Sequence, residues 1–361
     1  MNERSPYWQK RARVPRPVVI GFFRELSTML KSGIGVIDAL QVTVEHSVND
    51  TMSVIAAQLQ TKISTGFPLS VAMGEFPKVF SPVSIALIRM GESNGQIIEQ
   101  LGQLSTWMDR DEKLRRKVIS ALTYPTFALA ITALLTLALF LTVVPGFIDM
   151  FEEMKIDLPF PTKVLAVATK VLTSPLAWAM ICFGGLVAVM LSKNLFETPA
   201  ARLRLYAASL SIPVVGSLIQ STAIARFAFA ASAMLMSGSN IITGFRLAAE
   251  ATGSPLIEAD ADRLVESLEE GRQLSEHMDD RPDIYPRICV QLTAVGEESA
   301  RMPKMFTVMA EHYEEHIDHQ IQVVTSLLEP LLMSVVALVV GFIVMGVFLP
   351  MYSFVAQIGP G

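Results

Sequence analysis

Cysteine is nearly absent. The 361 residues hold two, Cys182 and Cys289, in different kinds of segment and with no CxxC spacing, which excludes a disulfide scaffold and a zinc ribbon. Nucleotide-binding signatures are missing too. There is no GxxxxGK(S/T) and no GxGxxG at a helix start, so no phosphate cradle is present in the sequence, and no cofactor is expected. The apolar–polar alternation of half-buried strands is absent. So is a secretory leader: the chain opens Met1-Asn2-Glu3-Arg4, turns basic through Lys10, Arg11, Arg13 and Arg16, and then offers only Val18 to Phe23 as an apolar run. A leader needs about 7–15 apolar residues, so the first part of the chain is expected to stay in the cytoplasm. A net charge of −5 lends no support to nucleic-acid binding.

Apolar residues, by contrast, make up 51% of the chain, and three stretches lack charge for long enough to cross a bilayer, which takes about 20 residues. They lie between Lys117 and Asp149, between Lys170 and Lys193, and from Pro330 to the C-terminus. None has an internal Asp, Glu, Lys, Arg or His, groups that a transport path normally needs. Positive charge sets the direction. Arg110, Lys113, Arg115, Arg116 and Lys117 precede the first span, and Lys193, Arg202 and Arg204 follow the second. The reading is N-terminus in, connector out, a second cytoplasmic portion, and C-terminus out.

The chain also repeats itself. A gapless shift of 205 positions lays Ser32-Gly33 on Ser237-Gly238, Gly66 on Gly271, Leu69-Ser70 on Leu274-Ser275, Gly91-Glu92 on Gly296-Glu297 and Pro125 on Pro330. Glycine and proline fix backbone shape, so their constant offset implies one fold built twice. Each copy reads as short helices. Phe22, Phe23, Leu26, Met29 and Leu30 have helical spacing and Ser32-Gly33 ends that helix. Asn49-Asp50 caps another, and Ser81-Pro82 starts a third.

The expected fold is an all-α membrane protein with two homologous cytoplasmic helical bundles, about six helices each, plus three transmembrane helices. The expected organisation is a basic arm over 1–17, bundles over 18–118 and 223–323, spans over 124–146, 173–192 and 330–351, a periplasmic connector over 147–172, a linker over 193–222 and a periplasmic tail over 352–361. The second span, required to bring the chain back inside, has no counterpart in the repeat.

Several residues stand out. Gly91-Glu92 and Gly296-Glu297 read either as a partner surface or as a close approach plus a carboxylate at a helix terminus. Glu329-Pro330, like Tyr124-Pro125, is expected to open a span, with proline losing no helical hydrogen bond there; Glu329 could instead link to another subunit. His312, His316 and His319 share one helix face and are weak metal candidates, because the run is not HExxH. The basic run 110–117 suits anionic lipid, and Lys10, Arg11, Arg13 and Arg16 are candidates for docking a partner.

Together these marks, Ser32-Gly33-Ile34, Gly66-Phe67-Pro68-Leu69-Ser70, Met90-Gly91-Glu92-Ser93-Asn94-Gly95, Ala121-Leu122-Thr123-Tyr124-Pro125, Gly296-Glu297-Glu298-Ser299 and Leu328-Glu329-Pro330, resemble those of the type II secretion protein F family, the inner-membrane platforms of type IV pilus and type II secretion systems, and the compact length resembles that of the type IVb pilus class. Ala300 departs from the resemblance, since the family commonly has glycine there; the turn need not be the same in both copies. The resemblance implies a non-enzymatic protein of the bacterial inner membrane, homo-oligomeric, that contacts a cytoplasmic hexameric assembly ATPase, pilin or pseudopilin subunits and other inner-membrane assembly proteins. A small-molecule transporter or channel subunit is the alternative.

Overall fold

The computed structural model describes residues 12–153, 160–174, 198–212 and 215–358. Among these residues there is no strand. They fall into two compact units, one drawn from Met1–Lys117 and Leu205–Gln320, the other from Val118–Arg204 and Ile321–Gly361.

The first unit holds both bundles. Bundle one consists of α1 (Arg16–Lys31), α2 (Val36–His46), α3 (Asp50–Ser64), α4 (Leu69–Met73), α5 (Pro82–Asn94) and the start of α6 (Ile97–Glu153). Between the copies lie α7 (Phe160–Thr173) and α8 (Pro199–Leu210). Bundle two consists of α9 (Val215–Met236), α10 (Ile241–Thr252), α11 (Pro255–Glu269), α12 (Leu274–Asp279), α13 (Arg287–Glu298) and the start of α14 (Met302–Ile358). Six helices per copy match the expected fold class.

The turns explain the shared glycines. After α1 the N–H of Gly33 bonds the Leu30 carbonyl at 3.0 Å and that of Ile34 bonds Met29 at 3.1 Å; after α9, Gly238 and Ser239 repeat the pattern onto Leu235 and Met234 at 3.2 and 3.1 Å. This paired closure needs a left-handed residue, and Gly33 and Gly238 have φ of 85° and 78°. The same holds at Gly66 and Gly271. The third turn departs from the expectation of a possible difference: Ala300 adopts φ 52° where Gly95 has 69°, and Arg301 N–H bonds the Gly296 carbonyl at 2.9 Å as Gln96 bonds Gly91 at 2.8 Å. The closing bonds hold the alanine in a conformation costing roughly 1–2 kcal/mol for a side chain with a Cβ.

Bundle one closes around Phe22, Phe23, Phe76 and Phe80 with Leu26, Leu40 and Ile55. Phe23 meets Phe80 edge-on at 5.7 Å. Each such side chain contributes about 1.5–3 kcal/mol on burial. Bundle two is built around Phe227, Phe245 and Phe306, with Phe227 stacked on Phe245 at 6.0 Å.

Three helices of the described residues are long and apolar enough to cross a membrane: one within α6 (Thr126–Met150), one within α14 (Met302–Gly346), and α9. The α6 and α14 runs are largely exposed, as a lipid-facing helix is. Most of α9 is buried inside bundle two, so there it serves as a core helix. Residues 175–192 of the second expected span lie outside the described residues. In the second unit, Val144 and Ile148 of α6 pack with Leu165 of α7 and Ile343 of α14, and the Thr162 hydroxyl donates to the Gly346 carbonyl at 2.7 Å.

One expectation is corrected. Pro125 and Pro330 do not open helices: each sits well inside a 57-residue helix. Both bundle helices continue through the proline, so each proline removes one hydrogen bond, to the carbonyl four residues earlier, instead of replacing a free terminal N–H.

Candidate functional site: the repeated turns and the joint between the copies

Glu92 sits near the end of α5, and its carboxylate reaches back to the start of α4. It accepts from the Leu69 and Ser70 backbone N–H groups and from the Ser70 hydroxyl, the last at 2.5 Å. Glu297 does the same for α12, accepting from Leu274 N–H at 2.6 Å, Ser275 N–H at 3.2 Å and the Ser275 hydroxyl at 2.5 Å. A short helix has free N–H groups at its start, and a carboxylate satisfies them with charge-assisted bonds. The preceding glycine gives the approach. A Cβ on Gly91 would lie 2.8 Å from Ile97 Cα, and one on Gly296 would lie 2.9 Å from the Met302 sulfur. The Gly-Glu pair therefore ties three elements together in each copy.

The bundles meet in one direction. Leu247 and Ala251 of α10, with buried Met234 of α9, join the apolar cluster of bundle one, and a Cβ on Gly238 would stand 3.9 Å from the Asn94 amide of α5. Asp111 on α6 lies at the centre. Its two oxygens take Arg16 of α1 at 2.9 Å and Arg226 of α9 at 2.7 Å. Its counterpart in copy two is His316, which meets Ser221, the counterpart of Arg16, at 3.3 Å. Further along, Arg110 pairs with Glu311 at 3.6 Å and Lys117 with Asp318 at 2.8 Å, and the Arg110 guanidinium lies 5.0 Å from the Phe229 ring centre. Arg115 and Arg116 bond Glu112 of their own helix. Much of the basic run thus pairs with the chain's own acids.

Bundle two also buries a polar cluster. Asp260 of α11, whose side chain has 0% exposure, takes Arg281 Nη1 at 2.5 Å and the Tyr285 hydroxyl at 3.2 Å, and lies 3.0 Å from His277 Nε2. Arg281 continues outward to Asp283 at 3.1 Å. Burial, with the Asp260 charge added, pushes the Tyr285 phenol well above its ordinary range. Hydrogen bonding to Arg281 holds Asp283 below the usual carboxylate range. The aligned positions in bundle one are Ile55, Ala72, Phe76 and Phe80, all buried. Sequence reading missed this exchange, although applying the 205-residue shift to core positions would have exposed it.

Of the docking candidates, Lys10 and Arg11 lie outside the described residues, Arg13 precedes α1, and Arg16 is tied to Asp111. His312 and His316 stack with ring centres 6.4 Å apart, and among the described residues no group of three or more His, Cys, Asp or Glu could hold one metal ion. Glu329 is exposed on α14. Cys289 is buried and its thiol donates to the Tyr313 hydroxyl at 3.4 Å; Cys182 lies outside the described residues.

The family described as type II secretion system (T2SS), protein F matches residues 22–145 and again 227–350, two segments set apart by the repeat offset found in the sequence. A type 4 fimbrial assembly protein PilC of Pseudomonas putida is 30% identical over 347 residues, 96% of this chain and 85% of the relative. The type IV pilus assembly protein PilC of Thermus thermophilus is 28% identical, over 93% of this chain and 82% of its own length. The type II secretion system protein F of Vibrio cholerae is 26% identical, over 91% and 80%. With both copies matched across the bundles and the apolar parts of α6 and α14, this chain belongs to the type II secretion system protein F family.

Proposed function

We propose that the chain is an inner-membrane platform of a type IV pilus or type II secretion machine, coupling a cytoplasmic assembly ATPase to pilin extraction and fibre polymerisation. It does so without chemistry of its own. The observation that carries this reading is mechanical. Two bundles are joined into one compact unit, and the last helix of each, 57 residues long, also carries an apolar run. Such a helix spans about 85 Å, enough to relay a push from a cytoplasmic partner to a subunit held in the bilayer. The domain boundaries and the topology expected from the sequence, N-terminus inside and C-terminus outside, belong to this proposal, as do anionic lipid contact and homo-oligomer formation.

The basic arm is the proposed contact for the ATPase. Because Arg16 holds Asp111, its reversal would disturb the joint between the bundles as well. The clean test reverses Lys10, Arg11 and Arg13 together and follows ATPase co-purification and surface fibres or secretion. Loss of both, with normal amounts of chain in the membrane, is expected. Unchanged co-purification and assembly would refute the role of the arm. Deletion of the whole chain without loss of fibres or secretion would refute the platform reading itself.

A further inference from the structure

Helix α7 has two apolar sides. On one, Leu165 packs with Val144 and Ile148 of α6 and with Ile343 of α14, and the Thr162 hydroxyl donates to the Gly346 carbonyl. On the other, Phe160, Val164, Val167 and Val171 recur at i, i+4, i+7 and i+11, which lines them up along one side of a helix. All four are exposed, Phe160 by 77% and Val167 by 63%. Lys163 and Lys170, seven positions apart, form one exposed edge of that stripe, and α7 has no acidic residue. An exposed apolar stripe bordered by lysine is the pattern of a helix held in a membrane interface, with acyl chains against the stripe and anionic headgroups against the cations.

The packed side sets the depth. At about 1.5 Å per residue, Val144 and Ile148 lie roughly 9 and 15 Å beyond the middle of the Thr126–Met150 run. The hydrocarbon of a bilayer ends about 15 Å from its centre. Leu165 is therefore level with the last part of the acyl chains on the side that α6 reaches last. The surface around it is continuous with other apolar side chains that no protein covers: Leu141 and Val143 of α6 and Val344 and Met345 of α14 are all exposed. With 14 residues, α7 is about 21 Å long, too short to cross a bilayer by itself. We propose that α7 is seated within the outer leaflet of the membrane, its valine stripe among acyl chains and Lys163 among anionic headgroups. The lysine stem lies along apolar surface while its ammonium reaches the headgroups. This deepens the proposed topology and rests on it: the connector is part of the membrane surface of the chain and not a loop in the water beyond.

Nitroxide labels on single cysteines of the full-length chain test this. The parent carries Cys182→Ala and Cys289→Ser, the latter supplying the residue that copy one has at Ser84. Lys163→Cys, Val164→Cys, Val167→Cys and Val171→Cys are labelled in turn and placed in vesicles of phosphatidylethanolamine and phosphatidylglycerol. Collision with oxygen, which concentrates in lipid, is compared with collision with a water-soluble nickel chelate. The three valine positions are expected to favour oxygen, and Lys163 to favour nickel severalfold more than they do. Equal nickel access at Val164, Val167 and Lys163 overturns the seat in lipid. Lys163→Glu should raise nickel access at Val167 severalfold and Lys163→Arg should leave it unchanged; no response to Lys163→Glu overturns the headgroup contact. A stripe that nickel reaches in vesicles but not in membranes of cells making the whole machine is covered by another protein, and the lipid assignment falls. The side of the membrane is read separately, with a membrane-impermeant maleimide on intact and broken spheroplasts carrying Lys163→Cys. Labelling of intact spheroplasts is expected. Labelling only after breakage refutes the proposed topology and moves α7 to the inner leaflet, whereas nickel access along the stripe refutes the seat in lipid on either side.

Discussion

Removing Asp260 alone and replacing its whole cluster should have opposite consequences. In Asp260→Ala the Tyr285 hydroxyl, on a residue 2% exposed, loses its acceptor, His277 loses a partner 3.0 Å away, and Arg281 keeps only Asp283. An orphaned buried donor costs about 1–3 kcal/mol, and breaking a buried ion pair costs about 3–5 kcal/mol. Because Arg281 is partly exposed and retains one carboxylate, the expected loss is about 3–4 kcal/mol in all. The fourfold replacement Asp260→Ile, His277→Ala, Arg281→Phe, Tyr285→Phe installs the residues that bundle one already accommodates at Ile55, Ala72, Phe76 and Phe80. Apolar replacement of a buried ionic cluster is often neutral or stabilising, so this variant should melt at or above the parent temperature. The assay is thermal unfolding of full-length chain in detergent, followed by far-ultraviolet circular dichroism. At about 2–4 °C per kcal/mol for a domain of this size, the single variant should fall by roughly 10 °C. A fourfold variant less stable than Asp260→Ala would refute the argument that the cluster is replaceable by the core of the other copy.

Gly91→Ala should cost more than Gly296→Ala, because the new Cβ meets Ile97 Cα in one case and the movable Met302 sulfur in the other; about 1–3 kcal/mol is expected at Gly91, and equal melting temperatures would contradict it. Ala300→Gly should stabilise by roughly 1 kcal/mol through relief of a left-handed alanine, whereas Gly95→Ala should destabilise by a similar amount; chemical denaturation of the two variants compares them. Burial pushes the Cys289 thiol up to about 11, so in a Cys182→Ala chain alkylation of Cys289 at neutral pH should be negligible when folded and rapid in denaturant, read by mass shift. Asp283 titrates low beside Arg281. A depressed carboxylate adds stability above the ordinary value of about 3.9, and that share is lost as pH falls through the folded value. Asp283→Asn should therefore lower the melting temperature at neutral pH and converge with the parent in strong acid.

The helical class, the duplication and the family were all legible in the sequence, because each rests on local or periodic signals. Apolar residues recur at helical spacing in α1, and Gly33, Gly66, Gly238 and Gly271 end helices wherever a left-handed residue is needed. What was not legible needed distances through space. Glu92 is 22 positions from Ser70, and nothing local says that its carboxylate meets α4. Arg16 is 95 positions from Asp111, so a basic arm reads as free charge until its partner is seen. Apolarity alone also misleads: α9 has the length and composition of a span, yet its alanine-rich surface lets other helices close around it in bundle two. The prolines misled in the opposite sense. Proline marks a helix start by propensity, but α6 and α14 each run on through Pro125 and Pro330 with the loss of one bond.

Those two prolines have a mechanical corollary. A helix resists compression along its axis because every turn bears on the next, but removing one backbone bond softens it against bending at that point. Pro125 and Pro330 place one such soft point in each long helix at the same repeat position. Each long helix is therefore stiff along its axis and bends more easily at its proline than elsewhere.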